Sequence, residues 1–120
     1  MNEVILIGRL TESPVLKSTT SGVSVCSLRI AVERRSDRDR TDYFTVTTWR
    51  GLAESCARHL MKGQRVSVRG ELQTRTFEGK DGQKRYFTEV GAEEVEFLDR
   101  PKGEERFGGT EEFKEDDLPY

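Results

Sequence analysis

Gln64-Arg65-Val66-Ser67-Val68-Arg69-Gly70-Glu71-Leu72-Gln73-Thr74-Arg75-Thr76-Phe77 alternates residue by residue. Gln64, Val66, Val68, Leu72, Thr74 and Thr76 share one parity, and the arginines, Glu71, Gln73 and Phe77 share the other. A strand sends alternate side chains to opposite faces, so one face is expected to pack while the other is wet, basic and ends in an aromatic ring. The following Glu78-Gly79-Lys80-Asp81-Gly82-Gln83-Lys84 holds two glycines, an Asp-Gly pair and three further charges, which predicts a polar hairpin loop. Arg85-Tyr86-Phe87-Thr88-Glu89-Val90 then returns as the partner strand.

Upstream the period changes. In Gly51–Met61, Leu52, Cys56 and Leu60 stand at i, i+4 and i+8 with Ala53 and Ala57 beside them, the apolar stripe of a short helix that Lys62 and Gly63 are expected to end. His59 is the only histidine and falls beside that stripe, with no second histidine or nucleophile near it in sequence. Tyr43-Phe44-Thr45-Val46-Thr47-Thr48-Trp49 has the strongest strand propensity of any stretch. If Phe44, Val46 and Thr48 pack inward, Tyr43 and Trp49 project outward; the opposite parity would bury the two large rings and expose Phe44. Arg34–Asp42 alternates charge sign and lacks any apolar residue, so it is a solvent loop. Its arginines either touch an anionic ligand or pair with Asp37, Asp39 and Asp42.

Ser24, Cys26, Leu28, Ile30 and Val32 alternate with polar or small residues and form a further half-buried strand. Thr11–Gly22, with Pro14 and a Ser/Thr cluster, is a connection. Val4-Ile5-Leu6-Ile7-Gly8-Arg9-Leu10 is a short apolar run, expected to be a strand buried on both sides for much of its length, whose Gly8 suits a bend or a close backbone approach. Gly91–Leu98 closes the domain as the bent end of the last strand.

With 33% hydrophobic and 35% charged residues in 120, one small core is expected and a second is not. The net charge of −2 conceals a division. Residues 1–100 hold 17 Lys and Arg against 15 Asp and Glu; residues 101–120 hold 3 against 7. The expected organisation is a mildly basic domain over residues 1–99 and a flexible acidic tail over 100–120, in which Pro101, glycines and charges leave almost no apolar pattern before Leu118-Pro119-Tyr120. Cys26 and Cys56 lack metal-ligand spacing and sit among apolar neighbours, as small buried hydrophobes of a reducing compartment do. No leader, long apolar run or lipidation motif is present, so a cytoplasmic protein without membrane contact is expected.

Five strands with one short helix between the third and fourth is the order of an all-β OB-fold barrel, whose strand face and loops commonly hold oligonucleotides. Such barrels also bind sugars and proteins, so the residues must narrow the function. Arginine placed beside aromatic rings suits a polyanion that also offers flat faces, which describes a nucleic acid strand with its bases uncovered. Arg9, Arg29, Arg35 and Arg50 on the early strands and loops, with Arg65, Arg69, Arg75, Lys80, Lys84 and Arg85 along the arm, are the expected phosphate contacts. An enzyme would need clustered carboxylates for metal or a histidine paired with a nucleophile; only Asp37, Asp39 and Asp42 are dense, and arginines interleave them. No catalysis, cofactor or metal is expected.

From Asn2 to Leu98 the chain resembles the bacterial single-stranded DNA-binding protein family. Asn2-Glu3-Val4-Ile5-Leu6-Ile7-Gly8-Arg9-Leu10, Gly51-Leu52-Ala53-Glu54, Leu60-Met61-Lys62-Gly63-Gln64-Arg65-Val66, Gly70-Glu71-Leu72-Gln73-Thr74-Arg75, Asp81-Gly82 and Arg85–Val90 carry the likeness, in that order. The resemblance implies sequence-tolerant binding and protection of single-stranded DNA in replication, recombination and repair, by a nucleoid-associated homotetramer. It also places base-stacking aromatics at Tyr43, Trp49 and Phe77. A fourth stacking position of the family falls near Arg35 or Ser36 and is not aromatic here; Phe44 stands where many members carry a histidine at a subunit contact. The ending resembles the family's acidic tip, which implies that Asp116, Asp117, Leu118, Pro119 and Tyr120 recruit replication, recombination and repair proteins; by composition alone the tail is a solubilising segment. An RNA-binding or protein-interaction barrel without a DNA role is the alternative, since nothing in these residues demands or forbids a ribose 2′-hydroxyl.

Overall fold

A computed structural model describes residues 1–98. Strands β1 (Val4–Leu10), β2 (Leu16–Ser18), β3 (Ser24–Glu33) and β4 (Thr41–Trp49) precede the helix α1 (Arg50–His59), and β5 (Arg65–Glu78) and β6 (Lys84–Phe97) follow it. The long elements keep the expected order, and the Thr11–Gly22 connection adds the three-residue β2, which lies on β3 with Leu16 opposite Cys26. A tight turn makes this possible: the Gly22 N–H donates to the Thr19 carbonyl, and Gly22 has a φ of 89°, open to a residue without Cβ. The helix stops at His59, earlier than the Lys62-Gly63 signal suggests, because Leu60 is already extended. Gly63, at φ 89°, turns the chain and donates its N–H to the Leu10 carbonyl.

The sheet closes on itself. Its order is β1-β5-β6-β4-β3, and β1 returns to β3 through Arg9 opposite Ala31 and Leu10 opposite Ile30. Every pairing is antiparallel except β4 with β6, where Val46 meets Val90 and Thr47 meets Gly91. This is the expected OB-fold, a five-stranded closed barrel with one helix. Leu28, Ile30, Val46, Val66, Val68, Val90 and Val95 fill its interior, and Ala53, Cys56 and Leu60 bring the helix onto it. Two glycines permit the closure. A Cβ on Gly8 would stand 2.5 Å from the Ala31 carbonyl oxygen, and one on Gly70 would overlap that of Gly91. Cys26 and Cys56 are free and buried in this core. Burial pushes both thiols up, Cys56 to about 12, which keeps them protonated and unreactive.

Two expectations need correcting. β1 is not buried on both sides: Ile5 and Ile7 are 63% and 53% exposed, because a single-layered barrel has one interior and, among the described residues, nothing covers the outside of β1. The packed face of β5 also ends sooner than its alternation suggests. Val66, Val68 and Gly70 point into the barrel, but Leu72 is exposed even though it shares their parity. β5 and β6 there run past the barrel end as a two-stranded ribbon, with pairs continuing out to Glu78 opposite Lys84. The Asn2 side chain ties down the point of departure, donating to the Leu72 carbonyl and accepting from the Leu72 N–H at 2.8 and 2.9 Å. Among the described residues no helix is long and apolar enough to cross a membrane.

Candidate nucleic-acid interface

On β4 the inward set is Phe44, Val46 and Thr48, so Tyr43 and Trp49 face out, 54% and 45% exposed. Phe77, near the end of the β5 arm, is 51% exposed. The β3–β4 register sets Arg29 opposite Thr45 and Ala31 opposite Tyr43, and the Arg29 guanidinium reaches diagonally to lie 5.4 Å from the Tyr43 ring centre. The arm carries a comparable pair. Arg75 is opposite Phe87, with its guanidinium carbon 5.5 Å from that ring. Arg75 Nε also donates to Glu89 Oε2 at 2.8 Å, and Glu89, only 5% exposed, accepts a second hydrogen bond from the Thr47 hydroxyl. Three strands are thereby tied across the outward surface: β4 through Thr47, β6 through Glu89 and β5 through Arg75.

The remaining cations fall into distinct groups. At the arm tip, the Gly79 N–H donates to the Gln83 carbonyl and Gly82 adopts a φ of 80°, as the Asp-Gly signal predicts. Lys80 and Lys84 are exposed there, and Arg85 pairs with Asp81 at 2.9 Å. Arg50 follows Trp49 directly and holds a φ of 56°. Arg9 and Arg65 flank a hollow of about 440 Å³ between β1, β3 and β5, which Ile7, Ala31, Glu33 and Thr41 complete; Arg9 also donates to the Gly63 carbonyl. Arg35 and Arg38 line a neighbouring hollow with Glu33 and Arg34.

In the Arg34–Asp42 loop one of the expected ion pairs forms. Arg34 grips Asp42 through two hydrogen bonds of 2.8 and 3.1 Å, which hold the carboxyl below its ordinary range and push the guanidinium up. Arg35, by contrast, faces the open hollow. Arg69 is differently placed. Between Arg69 and Gly70 the β5–β6 register skips Glu93, and this bulge brings two consecutive glutamates to one guanidinium: Glu93 and Glu94 at 3.1 Å each, with Glu3 at 3.7 Å. The Glu94 hydrogen bond is the main reason that its pKa is raised.

A family model described as "Single-strand binding protein family" matches residues 1–98, the same span that forms the barrel and arm. The chain belongs to the single-strand binding protein family. It is 43% identical to a single-stranded DNA-binding protein of Caldanaerobacter subterraneus, over the whole of this chain and 83% of that one. It is 42% identical to that of Clostridium tetani, over all of this chain and 86% of the relative. With the Bacillus cereus protein of the same name the identity is 44%, over 93% of this chain and 65% of the other.

For this single-strand binding protein family member, sequence reasoning singled out Tyr43, Trp49 and Phe77 and passed over Phe87, Glu89 and Thr47. The missing signal was available. Once Gly79–Gln83 is taken as the tip, pairing Glu78 with Lys84 and counting back places Phe87 opposite Arg75. The buried Glu89 carried no such cue, because a glutamate on a polar strand ordinarily faces water. The His59 ring centre lies 6.2 Å from that of Phe97 with Nε2 shielded and without a hydrogen-bond partner, and among the described residues no group of three or more His, Cys, Asp or Glu could hold a metal ion.

Proposed function

We propose that the chain binds single-stranded DNA without regard to sequence and protects it during replication, recombination and repair. The observation that carries this reading is the standing of Tyr43, Trp49 and Phe77 on outward surfaces, open to water and accompanied by Arg29, Arg50 and the cations of the arm. Stacking on an aromatic side chain contributes about 1 to 3 kcal/mol per base and tolerates any base. Phosphate contacts from Arg9, Arg29, Arg35, Arg50, Arg65, Lys80, Lys84 and Arg85 add a term that falls with salt. Duplex DNA hides its base faces and gains only the second term, so the single strand wins. Arg69 contributes least, since three carboxylates already surround it. The relatives named single-stranded DNA-binding proteins support the same partner.

Titration of poly(dT) followed by tryptophan fluorescence tests the reading. Bound strand is expected to quench Trp49, and Trp49→Ala, followed by the anisotropy of a labelled strand because it lacks the single tryptophan, to weaken binding about tenfold, within the range for one stacked base. Unchanged emission and unchanged affinity together would remove Trp49 from the site.

Self-association as a homotetramer is part of the proposal, and the two exposed isoleucines of β1 support it by offering an apolar stripe to a second copy. A particle mass measured alongside the titration gives the subunit number. The tip Asp116, Asp117, Leu118, Pro119 and Tyr120 lies outside the described residues; its order of two acids, an aliphatic residue, proline and an aromatic ring suits a basic pocket with an apolar floor. Deleting residues 111–120 is expected to leave or strengthen DNA binding while replication and repair proteins cease to co-purify. Undiminished co-purification would sink the role of the tip.

A further inference from the structure

In the outer half of the arm Arg75, Thr76, Phe77 and Phe87 enclose an open hollow of about 340 Å³, at the small end of ligand sites. We propose that this hollow is a slot for one unpaired nucleobase, with Phe87 as a further stacking residue and Glu89 as the positioning residue that turns Arg75 from a phosphate contact into a flat base contact. The proposal rests on the single-stranded DNA reading and adds a site to it.

The register supplies the geometry. Phe77 pairs with Arg85 and Phe87 with Arg75, so the two rings occupy diagonal positions on one face of the ribbon. Diagonal neighbours stand roughly 7 to 8 Å apart at Cα and somewhat less at Cβ. Carbon atoms in contact sit about 3.5 to 4.0 Å apart, so rings standing upright from positions at that spacing would have room for one aromatic plane between them. Among the described residues that line the hollow, Arg75 and Thr76 are the polar ones, and Thr76 alternates with Arg75 and Phe77, which sends its side chain to the other face of the ribbon. A slot so poor in hydrogen-bonding groups grips the faces of a base and reads little of its edge.

The electrostatics select the base over the phosphate. Arg75 donates to the buried Glu89 at 2.8 Å, so a phosphate approaching its guanidinium would also meet a carboxylate that cannot turn away. A neutral base meets no such repulsion. Held at one edge by Glu89 and placed 5.5 Å from the Phe87 ring centre, the guanidinium presents a fixed plane, and planar stacking is what arginine offers beyond its charge. The Thr47 hydroxyl holds Glu89 from β4, which sets the slot in a fixed relation to the strand that carries Tyr43 and Trp49.

The test is titration of the full chain with oligo(dT) across a range of salt concentrations, with Trp49 emission as the signal. Phe87→Leu is expected to weaken binding about tenfold while the slope of log affinity against log salt stays unchanged. Arg75→Ala is expected to weaken binding with the slope also unchanged, whereas Lys84→Ala lowers the slope by about 0.7, the loss of one phosphate contact on a single strand. Glu89→Gln, which releases the charge of Arg75, is expected to raise the slope by a similar amount, a change that a merely structural role would not produce. Affinity untouched by Phe87→Leu, or a slope reduced by Arg75→Ala, overturns the slot. Ultraviolet cross-linking of oligo(dT) to the unaltered protein needs no folded variant: cross-links at both Phe77 and Phe87 support the proposal, and cross-links at Phe77 with none at Phe87 overturn it. If the unaltered protein neither binds oligo(dT) nor loses emission, the DNA reading itself has failed; if it does both while Phe87→Leu is silent, only the slot has.

Discussion

The two halves of β5 follow one alternation and meet opposite surroundings. From Arg65 to Gly70 the even-numbered residues point into a sealed barrel, and Arg69 on the outside is spent on three carboxylates. From Glu71 to Glu78 the same parity finds no interior, and Arg75 on the other face sits with an aromatic ring and a single buried glutamate. Period two decides which residues share a face. Whether that face has anything to pack against depends on where the other strands stop. A ribbon of two strands is marginal in water by itself, so the arm keeps its rings and charges available for a ligand that would help order it.

Stability measurements can break this contrast. In the barrel half, Gly70→Ala drives a Cβ into the Gly91 carbonyl and is expected to cost about 3 kcal/mol in urea denaturation. Two residues further on, Leu72→Ala is expected to cost less than about 0.5 kcal/mol, because that side chain is already half in water. Equal losses would mean that the core extends into the arm. Alkaline pH probes the barrel from within. The Cys56 thiol titrates near 9.0 in the open chain and at about 12 when folded, so the unfolded chain gives up its proton first. This contribution is intact below about pH 9 and is lost as the pH climbs towards 12, amounting to about 2 kcal/mol at pH ~10.5. Comparing denaturation at pH 8 and 10.5 in the parent and in Cys56→Ala isolates it; a difference that does not change with pH would show that water reaches the thiol.

The parts legible in the sequence were those that depend on period and punctuation. Phe44, Val46 and Thr48 alternate with aromatic and hydroxyl residues so regularly that the outward set, Tyr43 and Trp49, followed once one parity was taken inward. Asp81-Gly82 located the arm tip for a similarly local reason. β1 was harder. Val4–Leu10 is apolar on both parities, and an apolar run looks the same whether the protein's own core or a second copy is meant to cover its outer side. Phe87 and Glu89 were lost for a different reason: their roles arise from pairing with Arg75 and Thr47, contacts that exist only after register and closure are fixed. The acids around Arg69 were hidden because a bulge, which leaves no mark in composition, set Glu93 and Glu94 on the same guanidinium.

A smaller effect than that at Gly70 is expected where barrel and binding surface meet. Arg50, immediately after Trp49, has a φ of 56°, a conformation that costs an ordinary L-residue roughly 1 to 2 kcal/mol and glycine almost nothing. The capping residue Trp49 makes no side-chain hydrogen bond to the helix start, so no cap offsets that cost. A side chain kept under strain beside an outward tryptophan is explained if its charge is used there. Arg50→Gly is therefore expected to stabilise the fold by about 0.5 to 1 kcal/mol, the relief being partly cancelled by the greater freedom of glycine in the unfolded chain. The same change should lower the salt slope for oligo(dT) by about 0.7. Arg50→Lys retains both the strain and the charge, and should change neither quantity by much. If Arg50→Gly is stabilising and binds with an unaltered slope, the backbone strain has no part in holding DNA, and the phosphate path must pass Trp49 on its other side.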